Sequence, residues 1–172
     1  NQKGVLGDPK VRAALISMTD RKAYNEVILK GTFIPGKAPI PPSLDYGFDQ
    51  LTDPNAYNVD RAKQLLDEAG WKDTDGDGIR EKNGQKAEFV INGRSNDLQR
   101  YNTAVALAQD AKKLGINIIA KSTPWSEARK IARNIPTVWA GGDYTPQTIY
   151  NYFRASQVGG NTVSYTHLTL PT

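Results

Sequence analysis

Apolar residues recur three and four positions apart in six stretches of this chain, which is the spacing that gathers side chains on one face of an α-helix. The first stretch follows Asp8-Pro9 and runs to about Thr19, and the second follows Asp20 and ends at Gly31. Because aspartate is a favoured helix N-cap and glycine a favoured terminator, these boundaries predict two helices that meet at a corner. The side chains expected on the buried face of the second helix are Tyr24, Val27 and Ile28.

Four further helices are predicted over residues 58–70, 95–115, 124–132 and from 146 onward. The longest starts at Ser95 or Asn96. Its buried face is expected to consist of Leu98, Tyr101, Val105, Ala108, Ala111 and Leu114. Residues 87–92, 116–120 and 136–140 lie between the helices and read as strands. Strands that alternate with helices predict an α/β fold whose strands are at least partly parallel.

Residues 32–54 follow neither period and contain five prolines and two glycines, which predicts a long loop. Its apolar side chains offer enough surface for the loop to lie across a core, and they are Ile34, Ile40, Leu44, Tyr46 and Phe48. A Pro-rich stretch can also be an extended ligand for a recognition domain, but the apolar content favours a packed loop.

The composition excludes several classes of protein. The 172 residues include no cysteine, which excludes thiol catalysis, thiolate zinc sites and disulfides. The single histidine, His167, lies near the C-terminus, so no Ser-His-Asp triad or histidine metal site can form in residues 1–166. A mean hydropathy of -0.56 and the lack of an apolar run near ~20 residues argue against a transmembrane protein.

The charge distribution gives no sign of a nucleic-acid partner. The net charge is +4, and residues 100–133 carry seven basic against two acidic side chains. These basic residues are spread over one helix and its neighbours, without the tight clusters typical of nucleic-acid binders. The excess therefore predicts a solvated helix face.

The acidic turn, residues 73–78, carries Asp73, Asp75 and Asp77 at alternate positions, as in the first half of a calcium-binding loop. The second half does not fit, because Gly84 occupies the position of the bidentate glutamate and Arg80 that of the apolar residue. We expect a turn held by Asx-type hydrogen bonds and no bound metal, with a calcium-stabilised structural module as an alternative.

A carboxylate, Asp143, lies between the third predicted strand and the last predicted helix. Ligand contacts in open α/β sheets occur at such positions. The acid could receive a ligand's ammonium group or cap the following helix, and Trp139 and Tyr144 could line a ligand or belong to the core. Neither of the glycine-rich phosphate motifs is present, so no nucleotide cofactor is expected.

Several stretches together resemble the extracytoplasmic solute-binding proteins of family 5, which serve peptide and nickel ABC transporters. The resemblance is carried by residues 8–15, 19–22, 31–42, 62–71, the acidic turn, 114–116 and 142–144, and it extends over roughly residues 5–160. Members of that family are longer and consist of two lobes that close on a ligand. The resemblance therefore implies a type II periplasmic-binding-protein fold, represented here by the second lobe only, with a mixed sheet flanked by helices.

The resemblance also implies a function. The full-length protein would be the substrate-binding component of an ABC importer and not an enzyme. It would capture peptides or similar small solutes outside the cytoplasm, for instance in the periplasm, and deliver them to permease subunits; a lipid anchor is left open. In peptide-binding members the acid of this segment holds the α-amino group, so the expected ligand-binding residues are Asp143, Tyr144, Trp139 and Gly142. Trp139 and Asp143 are four residues apart here, where the family pattern often has three.

Residues 163–172 do not continue the family pattern and resemble a tail that recurs on fragmentary proteins, as if adapter bases had been translated. We therefore expect residues 1–162 to be a partial second lobe, which lacks its first lobe and any upstream signal, and residues 163–172 to be a non-native tail. A carboxylate-based glycoside hydrolase is the alternative, and it would need two acids about 5 to 10 Å apart in one cleft. Asp143 is the only acid after Glu127.

Overall fold

The computed structural model describes residues 4–37, 42–44, 47–53, 56–132, 135–138, 145 and 147, and these residues include five α-helices, two short 3-10 helices and four β-strands. The helices are α1 (Pro9–Met18), α2 (Arg21–Val27), α3 (Val59–Glu68), α4 (Leu98–Lys112) and α5 (Trp125–Ile131). The strands are β1 (Glu81–Lys82), β2 (Gln85–Lys86), β3 (Glu88–Arg94) and β4 (Asn117–Thr123). Within this part of the chain, no helix combines the length and apolarity that a bilayer span needs.

The strands β3 and β4 run parallel, with Glu88 opposite Asn117 at one end of the ladder. Parallel neighbours require a crossover, and α4 supplies it by packing on both strands, which confirms the predicted α/β fold. On the other side of β3, Thr137 forms a parallel bridge with Asn92. The strand predicted over residues 136–140 is thus represented by this bridge, and residues 139 and 140 lie outside the described part.

One continuous core lies between the sheet and the helices α1, α3 and α4. The helix α3 buries Ala62, Leu65 and Leu66, as its periodicity predicts, and Trp71 follows it into the core at 3% exposure. The other buried apolar side chains of the core are Val5, Val11, Ala14, Met18, Ala87, Ile91, Ala104, Ala108, Ala111, Leu114, Ile116 and Ile118.

Side-chain caps fix the starts of the helices. Asp8, Asp20 and Asn58 accept backbone N–H groups at the first turns of α1, α2 and α3, as predicted. The prediction for α4 was wrong by one to two residues, because its N-cap is Asp97 and not Ser95 or Asn96. The reason is that Ser95 still belongs to the sheet edge, where its N–H donates to the carbonyl of Thr123 at 3.0 Å.

The buried face of α4 differs from the predicted one at its start. Leu98 is 70% exposed, and the helix contacts the sheet through the small residues Ala104, Ala108 and Ala111. Small side chains bring the helix axis close to β3, and Gly93 lets it come closer still, because a Cβ there would lie 2.5 Å from the Cα of Tyr101. Leu98 precedes the part of α4 that contacts the sheet, and its side chain is therefore exposed.

The predicted buried face of α2 was correct only in part, because Tyr24 and Ile28 are half-buried. None of its residues is buried, and Val27 is 80% exposed. The following loop packs only in part: Phe48 is buried at 7% exposure, whereas Ile34 is 66% exposed. Ile40 and Tyr46 lie outside the described residues.

A short antiparallel hairpin, β1–β2, follows the acidic turn where the pattern predicts only turns. Asn83 and Gly84 form its tip, and both have positive φ, as the two central residues of a type I′ turn require. The dipeptide Asn-Gly is the strongest short-range sign of such a hairpin, so the sequence contained the signal.

Candidate functional site

The parallel strands β3 and β4 end at the same edge of the sheet, which we call the carboxyl edge and define by Asn92, Arg94, Thr123 and Trp125. In open α/β sheets, ligands bind outside the carboxyl ends of the strands. The carboxyl edge is therefore the part of the described chain in which a binding site is expected. Thr123 and Trp125 flank Pro124, the N-cap residue of α5, so the sheet and this helix meet here.

Asn92 ties three chain segments together at the carboxyl edge. Its N–H donates to the carbonyl of Pro136 at 2.8 Å, and its carbonyl accepts from the N–H of Val138 at 2.9 Å. Its side-chain oxygen accepts from the hydroxyl of Thr123 at 3.1 Å. The side chain is 1% exposed, and its Nδ2 has no hydrogen-bond partner among the described residues. A buried donor of this kind costs free energy unless it is satisfied.

Arg94 brings a positive charge to the same edge. Its guanidinium carbon lies 4.9 Å from the centre of the Trp125 ring, which is the geometry of a cation–π contact. Its Nε is buried and has no hydrogen-bond partner among the described residues. The contact with Trp125 holds the guanidinium at this edge, and the fork of a guanidinium matches the geometry of a carboxylate.

The four predicted ligand-binding residues, Asp143, Tyr144, Trp139 and Gly142, lie outside the described residues, so their assignment stays a prediction. The described chain approaches them at Val138, which is bonded to Asn92. The pattern-based interpretation missed Asn92 and Arg94. The sequence contains a signal for both, because a polar residue and an arginine stand near the end of a predicted buried strand.

The acidic turn does bring its carboxylates together. Oxygen atoms of Asp73, Asp75, Asp77 and Glu81 lie within 4.8 Å of one another, and Glu81 was not among the predicted residues. Backbone N–H groups of Gly76 and Gly78 donate to Asp73 at 2.8 and 3.0 Å. The predicted Asx-type hydrogen bonds are thus present.

A lysine ammonium supplies positive charge to this cluster. Lys86 on β2 donates to Asp77 and, at 3.3 Å, to Asp75. The hydrogen bonds that Lys86 donates to these two carboxylates raise the pKa of Lys86 and lower the pKa of Asp77. A calcium ion would have to displace this ammonium and would still lack the bidentate ligand that a calcium loop normally provides.

We therefore expect millimolar calcium to leave the melting temperature of the chain unchanged. The measurement is thermal unfolding with calcium and with magnesium, on the original chain and on Lys86→Met. If calcium alone raises the melting temperature of the original chain by several degrees, the acidic turn is a metal site after all. A rise seen only in Lys86→Met would show that the ammonium keeps the ion out.

Comparison with known proteins identifies relatives over most of the chain. A model of the family "Bacterial extracellular solute-binding proteins, family 5 Middle" matches residues 1–161. The oligopeptide-binding protein AppA of Bacillus subtilis is 37% identical over 131 residues, which are 73% of this chain and 24% of AppA. Protein XP55 of Streptomyces lividans is 39% identical over 124 residues, 70% of this chain and 22% of XP55.

The solved structure of AppA from Bacillus subtilis in complex with a nonapeptide superposes with a TM-score of 0.78 and 32% identity. The match covers 92% of this chain and 33% of that structure. This agreement confirms the predicted type II periplasmic-binding-protein fold. The chain spans about a quarter of the length of the curated relatives it matches.

Proposed function

Because this chain belongs to family 5 of the bacterial extracellular solute-binding proteins, which are binding proteins and not enzymes, we propose that it forms most of the second lobe of a two-lobed peptide-binding protein. The complete protein would capture peptides or similar small solutes between its lobes and deliver them to the permease of an ABC importer. It would work outside the cytoplasm, as its family does. Residues 163–172 would be a non-native tail.

The observation that carries this proposal is Arg94, whose guanidinium stands at the carboxyl edge with a buried Nε that meets no hydrogen-bond partner in the described part of the chain. A peptide has one carboxylate and one ammonium at its ends. Arg94 would receive the carboxylate, and Asp143 would receive the ammonium. Charge-assisted bonds of this kind fix the ends of a ligand and leave its side chains free, which suits a transporter that accepts many sequences.

The apolar part of the site would come from aromatic side chains. Trp125 already faces the guanidinium of Arg94, and Trp139 and Tyr144 would extend the wall. Gly142 would allow the backbone to approach the ligand closely. The backbone of Asn92 would place residues 139–144, because its carbonyl accepts from the N–H of Val138, the residue directly before them.

The test is a two-lobed protein in which this chain replaces the matching residues of AppA from Bacillus subtilis. Short peptides are titrated by calorimetry into this chimera and into its Asp143→Asn and Arg94→Gln variants. We expect each variant to bind roughly tenfold to a hundredfold more weakly, because a charge-assisted hydrogen bond contributes about 1.5–3 kcal/mol. Asp60→Asn on the exposed face of α3 is the matched control and should bind normally.

Peptides with one blocked terminus distinguish recognition of the amino end from recognition of the carboxyl end. Acetylation of the peptide's amino group should weaken binding to the parent chimera but have little further effect on binding to Asp143→Asn. Amidation of the peptide's carboxylate should likewise weaken binding to the parent chimera but have little further effect on binding to Arg94→Gln. Unchanged affinity in Asp143→Asn removes that residue from the site. A chimera that binds nickel complexes but no peptide would overturn the ligand class and leave the family assignment intact.

A further inference from the structure

The projecting segment, residues 30–37, is exposed along its whole length. It carries two large apolar side chains, Phe33 and Ile34, which are 57% and 66% exposed. The helix before it, α2, has no buried residue, and its Val27 is 80% exposed. Single exposed apolar residues are normal, but such a concentration on one helix and the segment that follows it indicates an interaction surface.

Hydrogen bonds hold the start of the projecting segment in a defined shape. The amide of Asn25 donates to the carbonyl of Phe33 at 2.6 Å and accepts from its N–H at 3.0 Å. The N–H of Gly31 donates to the carbonyl of Asn25 at 2.8 Å. Lys30 and Gly31 both have positive φ, which is uncommon for a lysine. A defined backbone that presents phenylalanine and isoleucine to solvent is unlike the polar composition of disordered segments.

We propose that α2 and the projecting segment form the surface on which the remainder of the two-lobed polypeptide packs. The relatives show how much polypeptide is involved, because the matched residues make up 24% of AppA. A surface that is interior in the complete protein is apolar and exposed when the chain stands by itself. The inference rests on the family assignment and is independent of the roles proposed for Asp143 and Arg94.

The charges around this surface define what it packs against. The exposed charged residues of α2 and the projecting segment are Lys22, Glu26, Lys30 and Lys37, so positive charge predominates. The covering surface should therefore be apolar at its centre and acidic at its rim. If the rest of the polypeptide packs on this surface, Phe33 and Ile34 are always covered. If a peptide ligand covered them instead, they would be exposed to water whenever the site is empty.

Thiol labelling tests the proposal, because the chain contains no cysteine of its own. The variants Val27→Cys and Phe33→Cys are made in the 172-residue chain and in the AppA chimera, whose other cysteines are replaced by serine. The matched control is Lys63→Cys, at an exposed position of α3. Maleimide labelling rates are measured with and without peptide, and at several protein concentrations.

In the chimera, we expect positions 27 and 33 to react at least roughly tenfold more slowly than position 63, with or without peptide, because a covered thiol reacts only when the contact opens. In the 172-residue chain all three should react equally fast. Equal rates in the chimera would overturn the proposal. Protection that requires peptide would show that these residues contact the ligand. Protection of the 172-residue chain that grows with protein concentration would show self-association. Either result would also overturn the proposal.

A second variant covers the case in which a cysteine at position 33 prevents the chimera from folding. Phe33→Ser should lower the melting temperature of the chimera and leave that of the 172-residue chain unchanged. An equal effect in both would contradict the proposal. These measurements need no bound peptide, so their failure can be told apart from failure of the proposed peptide site.

Discussion

Replacing Gly93 with alanine is expected to destabilise the folded chain by about 2–3 kcal/mol, a large effect for the addition of one methyl group. The added Cβ would lie 2.5 Å from the Cα of Tyr101 and 3.0 Å from its Cβ. A backbone atom cannot rotate away as the end of a side chain can, so α4 would have to move off β3. Urea unfolding followed by circular dichroism measures the loss.

Two controls separate the close approach from other effects of losing a glycine. Gly84 has a φ of +74° and open space around it, so Gly84→Ala should cost only the left-handed conformation, about 1–2 kcal/mol. Shortening Tyr101 to alanine in the Gly93→Ala background should not restore stability, because the nearest atom is the Cα. Full stability of Gly93→Ala, or its rescue by the shortened side chain, would contradict the close approach of α4.

The substitution Gly93→Ala should also weaken the proposed binding of peptides. Gly93 lies between Asn92 and Arg94, so a shift of α4 away from β3 disturbs the carboxyl edge directly.

Replacing Asp8 with alanine is the second large expected effect, at about 2–4 kcal/mol. The carboxylate caps α1 by accepting the N–H of Lys10 at 3.0 Å, and a lost cap typically costs about 1 kcal/mol. It also accepts from the indole N–H of Trp71 at 3.3 Å and from the ammonium of Lys82 at 3.0 Å. Because Trp71 is 3% exposed, its unpaired donor would add about 1–3 kcal/mol.

The Asp8→Asn variant isolates the contribution of charge, since asparagine is an equally good N-cap. Burial raises the pKa of Asp8, but the hydrogen bonds from Lys82, Lys10 and Trp71 outweigh it and leave the pKa below its usual value. A lowered carboxyl pKa stabilises the fold above the pKa of the unfolded chain, and this stabilisation is lost as the pH falls through the folded-state pKa.

The difference in stability between the original chain and Asp8→Asn should therefore be constant near neutral pH and shrink below about pH 4. Urea unfolding of both proteins between about pH 7 and pH 3 measures it. Lys82→Met, which removes the charged partner, should show the same trend. A difference that stays constant over the whole range would show that the charge of Asp8 does not contribute to the stability.

Local patterns predicted most of the elements correctly because their causes are local. The caps at Asp8, Asp20 and Asn58 lie within three residues of the N–H groups that they accept. The spacing of the apolar residues in α3 predicted the buried face of this helix, because the helix packs on one side only. The strand at 87–92 and the strand at 116–120 both appear, and their alternation with helices gave the parallel pairing.

Long-range contacts decided the points on which the patterns were wrong. Val27 and Leu98 have the same spacing as buried residues, but no described part of the chain covers them. Which turn residue caps α4 depended on Ser95 being held by Thr123, a residue of the neighbouring strand. Periodicity shows that one face of a helix is apolar, but it does not show whether another part of the protein packs against that face.

The sequence by itself determined the helices, the strands, the glycine-dependent turns and the resemblance that the family match confirmed, because these depend on residue type and on spacing along the chain. Only the tertiary structure decided which polar groups meet at the carboxyl edge. Asn92, Arg94 and Trp125 are brought together by the parallel register of β3 and β4 and by the start of α5. That register is a property of the packed sheet, in which residues about thirty positions apart become neighbours.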